Sequence, residues 1–283
     1  MRRAAPAPPG LAAEARPPLR SSEWLVIAYF LYVAALAPFY RIAPWRPLAL
    51  AALACLWFVF ASRKPVYRDF APLAAAIAAY REMDWFTPAA RDLRLERAWV
   101  VWDRLALDGL GLRAVIEWAG PLLPNFLEMC YTLVYGVAPL ALLALFRCAK
   151  REAVNRFWMA YLAGTLGAYA LFPFFPSQPP RTAFPAADLP RVAAVMRRIN
   201  MVILGNYGIH SSVFPSAHVS SAFSAAWALL VILPRRRWIG SAFAAYGLCV
   251  AIATLYGRYH YAADVVAGLA LSLVAFPVMR LFP

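Results

Sequence analysis

Seven apolar runs, each close to the length of a bilayer crossing, leave this chain few folds to choose from. They fall at 24–40, 47–62, 126–146, 157–175, 214–233, 238–256 and 260–281. A membrane helix needs about 20 mainly apolar residues to cross the hydrocarbon core. The second run is short, and only the others come near that length unaided. Sixty-three per cent of all residues are hydrophobic and the mean hydropathy is +0.60, well above a soluble domain. The pattern predicts an all-α polytopic membrane bundle of six to seven transmembrane helices, with interfacial amphipathic helices beside it.

Four stretches follow. Residues 1–22 are rich in Ala, Pro and Arg without apolar periodicity and read as a disordered tail. They are not a secretory signal, because the apolar run that follows is long and lacks a cleavage site. Residues 23–62 form an N-terminal transmembrane hairpin. Residues 63–122 mix charged and apolar residues at roughly helical spacing and carry Trp85, Trp99, Trp102 and Trp118, so they read as helices lying along the bilayer surface. Residues 123–283 form the membrane bundle that holds the candidate chemistry.

A formal charge of +14 would point to nucleic acid in a soluble chain. Here basic residues bracket spans, set topology and attract anionic headgroups, and no basic–aromatic module for nucleic acid is present. With seven spans, Arg41, Arg46, Arg147, Lys150, Arg151, Arg156, Arg235, Arg236, Arg237 and Arg280 share one face in short connections. The tail, 63–122 and the 176–213 loop share the other. The densely basic face reads as cytoplasmic, so the second face opens to the periplasm or exterior of an inner or plasma membrane. The arginines of the tail pull the other way. Cys55, Cys130, Cys148 and Cys249 lie scattered without metal spacing or a disulfide framework.

Titratable groups are scarce, and three short polar words concentrate them. All three histidines, His210, His218 and His260, lie in the last third of the chain. In Pro215-Ser216-Ala217-His218, proline suits the first helical position, and the Ser216 hydroxyl with the backbone donors after it makes an anion site at a helix N-terminus. His260 and Asp264 stand four apart, so a helix would place them on one face. The carboxylate would then fix one imidazole nitrogen and free the other to attack. An acid within an apolar run points to function; the alternative is a structural pair between helices. In Pro179-Pro180-Arg181, prolines stop a helix and Arg181 can offer a fork of donors to phosphate. By counting crossings, the three words share one face. His210 reads as a loop residue near the mouth, and Arg191, Arg197 and Arg198, interleaved with apolar residues, as an amphipathic or re-entrant helix beside it.

The ordered set Pro-Pro-Arg, Pro-Ser-Ala-His and His-x-x-x-Asp resembles the type 2 phosphatidic acid phosphatase superfamily. Within it, residues 98–281 are most similar to fungal inositol phosphorylceramide synthase and its bacterial relatives. Trp102-Asp103-Arg104 and the stretch from Thr254 to Gly268 add to the likeness. The resemblance implies phosphoryl transfer through a phosphohistidine, with no metal and no cofactor. His260 would be the nucleophile and Asp264 its orienting group. His218 would protonate the leaving alcohol, while Arg181, Ser216 and the Ala217 backbone hold phosphoryl oxygens. Two departures stand out. Phe174 occupies the position of a family Lys, and Ala253-Thr254 that of a family Ser-Arg; Arg258 is the candidate replacement, or else an interfacial anchor.

The implied partners are the bilayer, a lipid phosphate or phospholipid, and water or a lipid alcohol as acceptor. A non-catalytic transporter or scaffold sharing the architecture is the alternative; it would use Asp264 as a proton relay but has no need of two histidines at a helix N-terminus.

Overall fold

The computed structural model describes residues 18–148, 150–185 and 188–282, and among these it contains helices and turns but no strand. The N-terminal tail, up to residue 17, lies outside the described residues; Ser21 and Ser22 already belong to the first helix. In chain order the helices are α1 Ser21–Leu36, α2 Trp45–Ala61, α3 Pro65–Glu82, α4 Arg94–Arg104, α5 Leu112–Glu117, α6 Leu122–Leu133 and α7 Val137–Arg147. They continue as α8 Val154–Leu171, α9 Pro180–Ala183, α10 Val195–Tyr207, α11 Ala217–Ile232, α12 Arg237–Tyr256, α13 Ala262–Ser272 and α14 Ala275–Leu281. Each of the seven apolar runs becomes a helix or a pair of helices in line. Five of these, Ser21–Tyr40, Leu122–Arg147, Arg151–Phe174, Pro234–Tyr256 and Ala262–Leu281, are long and apolar enough to cross a membrane. Trp45–Ala61 and Ala217–Ile232 are shorter apolar helices.

An eighth helix runs with them. At one end of α3, Asp69 accepts from Arg20 at 2.9 Å and from Arg151 at 2.8 Å, and its carbonyl accepts from the Trp158 indole at 2.8 Å. At the other end the Tyr80 ring stands 5.8 Å from that of Tyr169, and Phe86 stands 5.0 Å from Tyr40. Contacts of α1 with α8 have the same order, since Ser22 meets Asn155 and Tyr40 meets Pro173. α1, α3 and α8 are therefore parallel, and the 18 residues of α3 span about 27 Å at the usual helical rise.

This corrects the reading of 63–122 as wholly interfacial. The charges of α3 sit near its two ends, and those at the first end find partners, whereas Glu82, buried in the last turn, makes no side-chain hydrogen bond among the described residues. Arg68 pairs with buried Glu23 at 2.8 Å, and Asp69 with Arg20 and Arg151. The eleven residues from Phe70 to Tyr80 carry no charge. Spread over a linear window, those terminal charges imitate an amphipathic pattern. α3 is not among the helices apolar enough to cross a membrane by composition, but running beside α1 and α8 it adds one traverse of the bundle, which puts Arg20, Arg63 and Lys64 at the end that holds Arg151 and Arg235–Arg237, and Arg41 and Arg46 at the opposite end.

α11 is the central helix. It packs against α7, α8, α12, α13 and α14, and its residues are buried on every side. Close approach to α8 depends on Gly164, whose carbonyl accepts from Ser220 at 2.9 Å and where a β-carbon would collide with the Ser224 hydroxyl. Small residues of this kind let membrane helices pack backbone to backbone.

Candidate active site

Three loops meet at the α3–α8 end marked by Tyr80 and Tyr169, and hydrogen bonds tie them in pairs. Arg181 N–H donates to the Arg258 carbonyl at 3.1 Å. Ser216 N–H donates to the Asp264 carbonyl at 3.0 Å. Val213 N–H donates to the Ser177 hydroxyl at 3.3 Å, and the Ser212 hydroxyl donates to the Phe175 carbonyl at 2.5 Å. The words carrying Arg181, His218 and His260 thus form a closed triangle at one end of the bundle.

The two imidazoles and the carboxylate make one chain of contacts. His260 Nδ1 lies 2.9 Å from the Val213 carbonyl and 3.2 Å from Asp264 Oδ2. A carbonyl and a carboxylate oxygen only accept, so Nδ1 carries the proton and Nε2 keeps a lone pair. Nε2 lies 3.4 Å from His218 Nδ1. The outer nitrogen of His218, Nε2, has no hydrogen-bond partner among the described residues. Asp264 Oδ2 is itself held by the Tyr261 N–H at 2.9 Å.

Two local details differ from the reading of the sequence. His260 precedes α13, in the turn after α12, so the pair does not stand on one continuous helix. Instead Asp264 folds back from the first turn of α13. Pro215 is not the first helical residue either. Ser216 is the N-cap, and its buried hydroxyl accepts from Val219 N–H at 3.4 Å. That hydroxyl is turned onto its own helix and does not line the cavity. Ala217 does line it, and the N–H groups of Ala217 and His218 make no hydrogen bond among the described residues.

That cavity measures about 480 Å³, within the usual range for small-molecule sites. His218, His260, Arg181 and Ala217 share its polar end. The Arg181 guanidinium lies 5.4 Å over the Tyr259 ring and makes no hydrogen bond or ion pair among the described residues, so its donors remain available. Tyr131 stacks on Tyr259 at 3.9 Å and on His218 at 5.0 Å, fixing the His218 ring. Tyr259 in turn donates to buried Glu128, which also accepts from Arg197 at 2.9 Å and Asn200 at 2.7 Å. α10, expected as an amphipathic helix beside the site, lies against α6 through these contacts.

Arg258 is placed elsewhere. Its guanidinium is fully buried, 2.6 Å from Asp103 Oδ2 and 3.7 Å from Asp188, and it does not reach the cavity. The reason is its backbone. Arg258 takes φ +62°, a left-handed conformation, which sends its side chain away from that of His260. Burial pushes the Asp103 carboxyl up to about 6 against the opposing pull of Arg258, so it is ionised at neutral pH. His210 is exposed and faces Asp84 at 3.2 Å, outside the cavity lining.

Sequence reasoning passed over two residues here. Asp103 accepts from Arg258 and, at 2.7 Å, from Ala262 N–H, bracketing the His260 turn. It was visible only as part of Trp102-Asp103-Arg104. Arg81, at the end of α3, lines the cavity, and an interfacial reading of its helix gives no reason to expect it there. Among the described residues no three His, Cys, Asp or Glu side chains converge as a metal site.

No curated protein and no solved structure matches the chain. Residues 108–278, more than half of it, match the family model of the PAP2 superfamily, a stretch that holds all three loops of the site. The chain belongs to the PAP2 superfamily.

Proposed function

We propose that this protein moves the phosphoryl group of a lipid phosphate, or the phospho-headgroup of a phosphodiester, through a covalent intermediate on His260. Membership of the superfamily assigns it to phosphatase-type enzymes acting on phosphate esters; the lipid, the intermediate and the acceptor are our reading. The observation that carries the reading is the unprotonated Nε2 of His260 beside the cavity. Nδ1 is spoken for by Val213 and Asp264, and Nε2 looks toward His218 inside a cavity shared with Arg181.

In the first step His260 Nε2 forms a bond to phosphorus as the P–O bond to the lipid alcohol breaks. The leaving oxygen takes its proton from His218. Asp264 and the Val213 carbonyl support the imidazolium that results, and Arg181 with the Ala217 and His218 N–H groups meets the charge on the phosphoryl oxygens. In the second step His218 takes a proton from the acceptor, whose oxygen attacks phosphorus and releases His260. Water as acceptor gives a phosphatase. A lipid alcohol such as ceramide or diacylglycerol gives a phosphotransferase of the inositol phosphorylceramide synthase type. The scheme uses no metal.

The cavity supports a lipid substrate because its far end is apolar, lined by Leu73, Ala76, Ile77 and Val134. We place the active site on the periplasmic or exterior side. Arg63, Lys64, Lys150, Arg151 and Arg235–Arg237 fill short connections at the other end of the bundle, where the positive-inside rule puts the cytoplasm. The test is product analysis. Purified protein is incubated with lipid phosphates and phosphodiesters, with and without lipid alcohols, and products are identified by mass spectrometry. Free phosphate or a headgroup-exchanged lipid, lost in His260→Ala, is the expected result. Turnover retained in His260→Ala overturns the reading.

A further inference from the structure

One wall of the cavity comes from a helix outside the stretch that matches the superfamily. α3 ends at Glu82 and the match begins at residue 108, yet α3 supplies Leu73, Ala76, Ile77, Tyr80 and Arg81 to the lining. Their spacing, i, i+3, i+4, i+7, i+8, is one continuous stripe of an α-helix. From Leu73 to Arg81 the stripe is about 12 Å long.

The stripe is graded. Its first three side chains are apolar and lie toward the middle of the bundle. Tyr80 and Arg81 lie at the level of the histidines. The Tyr80 hydroxyl accepts from Ile209 N–H at 3.2 Å, and Arg81 Nη1 donates to the Tyr207 and Gly208 carbonyls at 2.8 and 3.1 Å. Those bonds hold Arg81 across the mouth while leaving it donors to spare, since a guanidinium has five. It remains 46 % exposed, and Asp84 lies 3.9 Å away.

The flank of the cavity between α3 and α7 is open. Ile77 on α3 and Tyr135 before α7 both line it, yet they are 58 % and 52 % exposed. Ile77 stands on a helix that runs beside α1 and α8, and Tyr135 within the apolar stretch Leu122–Arg147, so the opening lies on the flank of the bundle. An apolar chain can slide from lipid onto the stripe without leaving hydrocarbon.

We propose that α3 is the substrate-selecting wall of the site. Leu73, Ala76 and Ile77 seat the apolar chain of a phosphate-bearing lipid, and Arg81 is a second cation that meets its anionic end across the cavity from Arg181. The proposal rests on the phosphoryl-transfer reading only for which end of the lipid points at the histidines. The apolar stripe with Arg81 at its end agrees with that orientation.

Photolabelling tests it without requiring turnover. Full-length protein is irradiated with hexadecyl phosphate carrying a diazirine at mid-chain, and adducts are located by peptide mass spectrometry. Adducts within 65–82, competed by unlabelled hexadecyl phosphate, are expected. Ile77→Trp, a change at an exposed position, should cut that labelling at least fivefold. Arg81→Gln should weaken labelling by the phosphate and leave that by the neutral hexadecanol analogue in place. Competable adducts confined to other helices, or labelling indifferent to Ile77→Trp, overturn the wall; equal loss with both analogues overturns the role of Arg81. Failure of the chemical reading has a different signature, namely α3 labelling together with full turnover in His260→Ala.

Discussion

Arg258 and Asp103 form an ion pair at 2.6 Å in which neither side chain is exposed at all. The pair joins α4 to the turn that carries His260, and Asp103 reaches the far side of that turn through Ala262 N–H. A left-handed non-glycine residue costs on the order of 1–3 kcal/mol and persists where its surroundings enforce it. Here the enforcing contact is an arginine spent on structure.

Removing that arginine should therefore damage folding before it damages phosphate affinity. Arg258→Ala leaves Asp103 as a buried, uncompensated charge, which costs about 3–5 kcal/mol. A lower melting temperature in detergent is the expected outcome, with KM little changed in the protein that remains folded. A normal melting curve with selectively raised KM would return Arg258 to the phosphate.

Asp103 also sets an expected pH dependence. Its carboxyl, pushed up to about 6 chiefly by burial, takes a proton as pH falls through that value and loosens its hold on both sides of His260. kcat/KM should fall along a single-proton limb centred near 6. Stability should not follow it. The folded-state pKa lies above the unfolded value of about 3.9, so between these pH values the folded form binds the proton more tightly and this group favours folding as pH drops. Parallel loss of melting temperature and activity would show that the limb reports unfolding.

Asp264→Asn should keep the fold and lose the rate. An amide cannot orient the His260 Nδ1–H as a carboxylate does, nor offset an imidazolium, and loss of such a partner lowers turnover by on the order of 10⁴-fold in comparable arrangements. Rapid quench with radiolabelled lipid phosphate should find the acid-labile phosphoenzyme nearly absent. Wild-type burst amplitude in this variant contradicts the assignment.

His218→Ala should discriminate between leaving groups. General-acid help matters most for a poor leaving group, so natural lipid esters should lose about 10²–10⁴-fold while p-nitrophenyl esters lose far less. Equal losses for both would remove His218 from the acid role.

Chelators should be without effect. Activity abolished by EDTA and restored by one divalent cation would require a metal in the scheme.

Much of this architecture is legible in the residues, and what escapes does so for physical reasons. The seven apolar runs emerge as helices because hydrocarbon tolerates little else over such lengths. α3 escapes because Arg68, Asp69, Arg81 and Glu82 sit in its end turns, and a linear window cannot see that Glu23, Arg20 and Arg151 neutralise the first two. The missed crossing reverses the side assigned to Arg41 and Arg46. It does not disturb the placement of Arg181, His218 and His260 relative to one another, since only the crossings between them count. Within the site, spacing finds the two imidazoles and Asp264. It does not find the direction of Arg258, which is set by one backbone angle, or the hydroxyl of Ser216, which its own helix claims. Asp103 comes from more than a hundred and fifty residues away in the chain, and no local pattern announces such a reach.

The paired tying of the three loops has a bearing on traffic through the site. None of them can swing aside alone, since each is stitched to both of the others, two of the three pairs by main-chain bonds and the third through the hydroxyls of Ser177 and Ser212. A lid on that side would have to tear open the very frame that aligns His260. With the proposed lipid substrate, exchange of substrate for product would fall to the flank between α3 and α7, where side chains alone stand in the way, and would couple the reaction to lateral diffusion in the membrane.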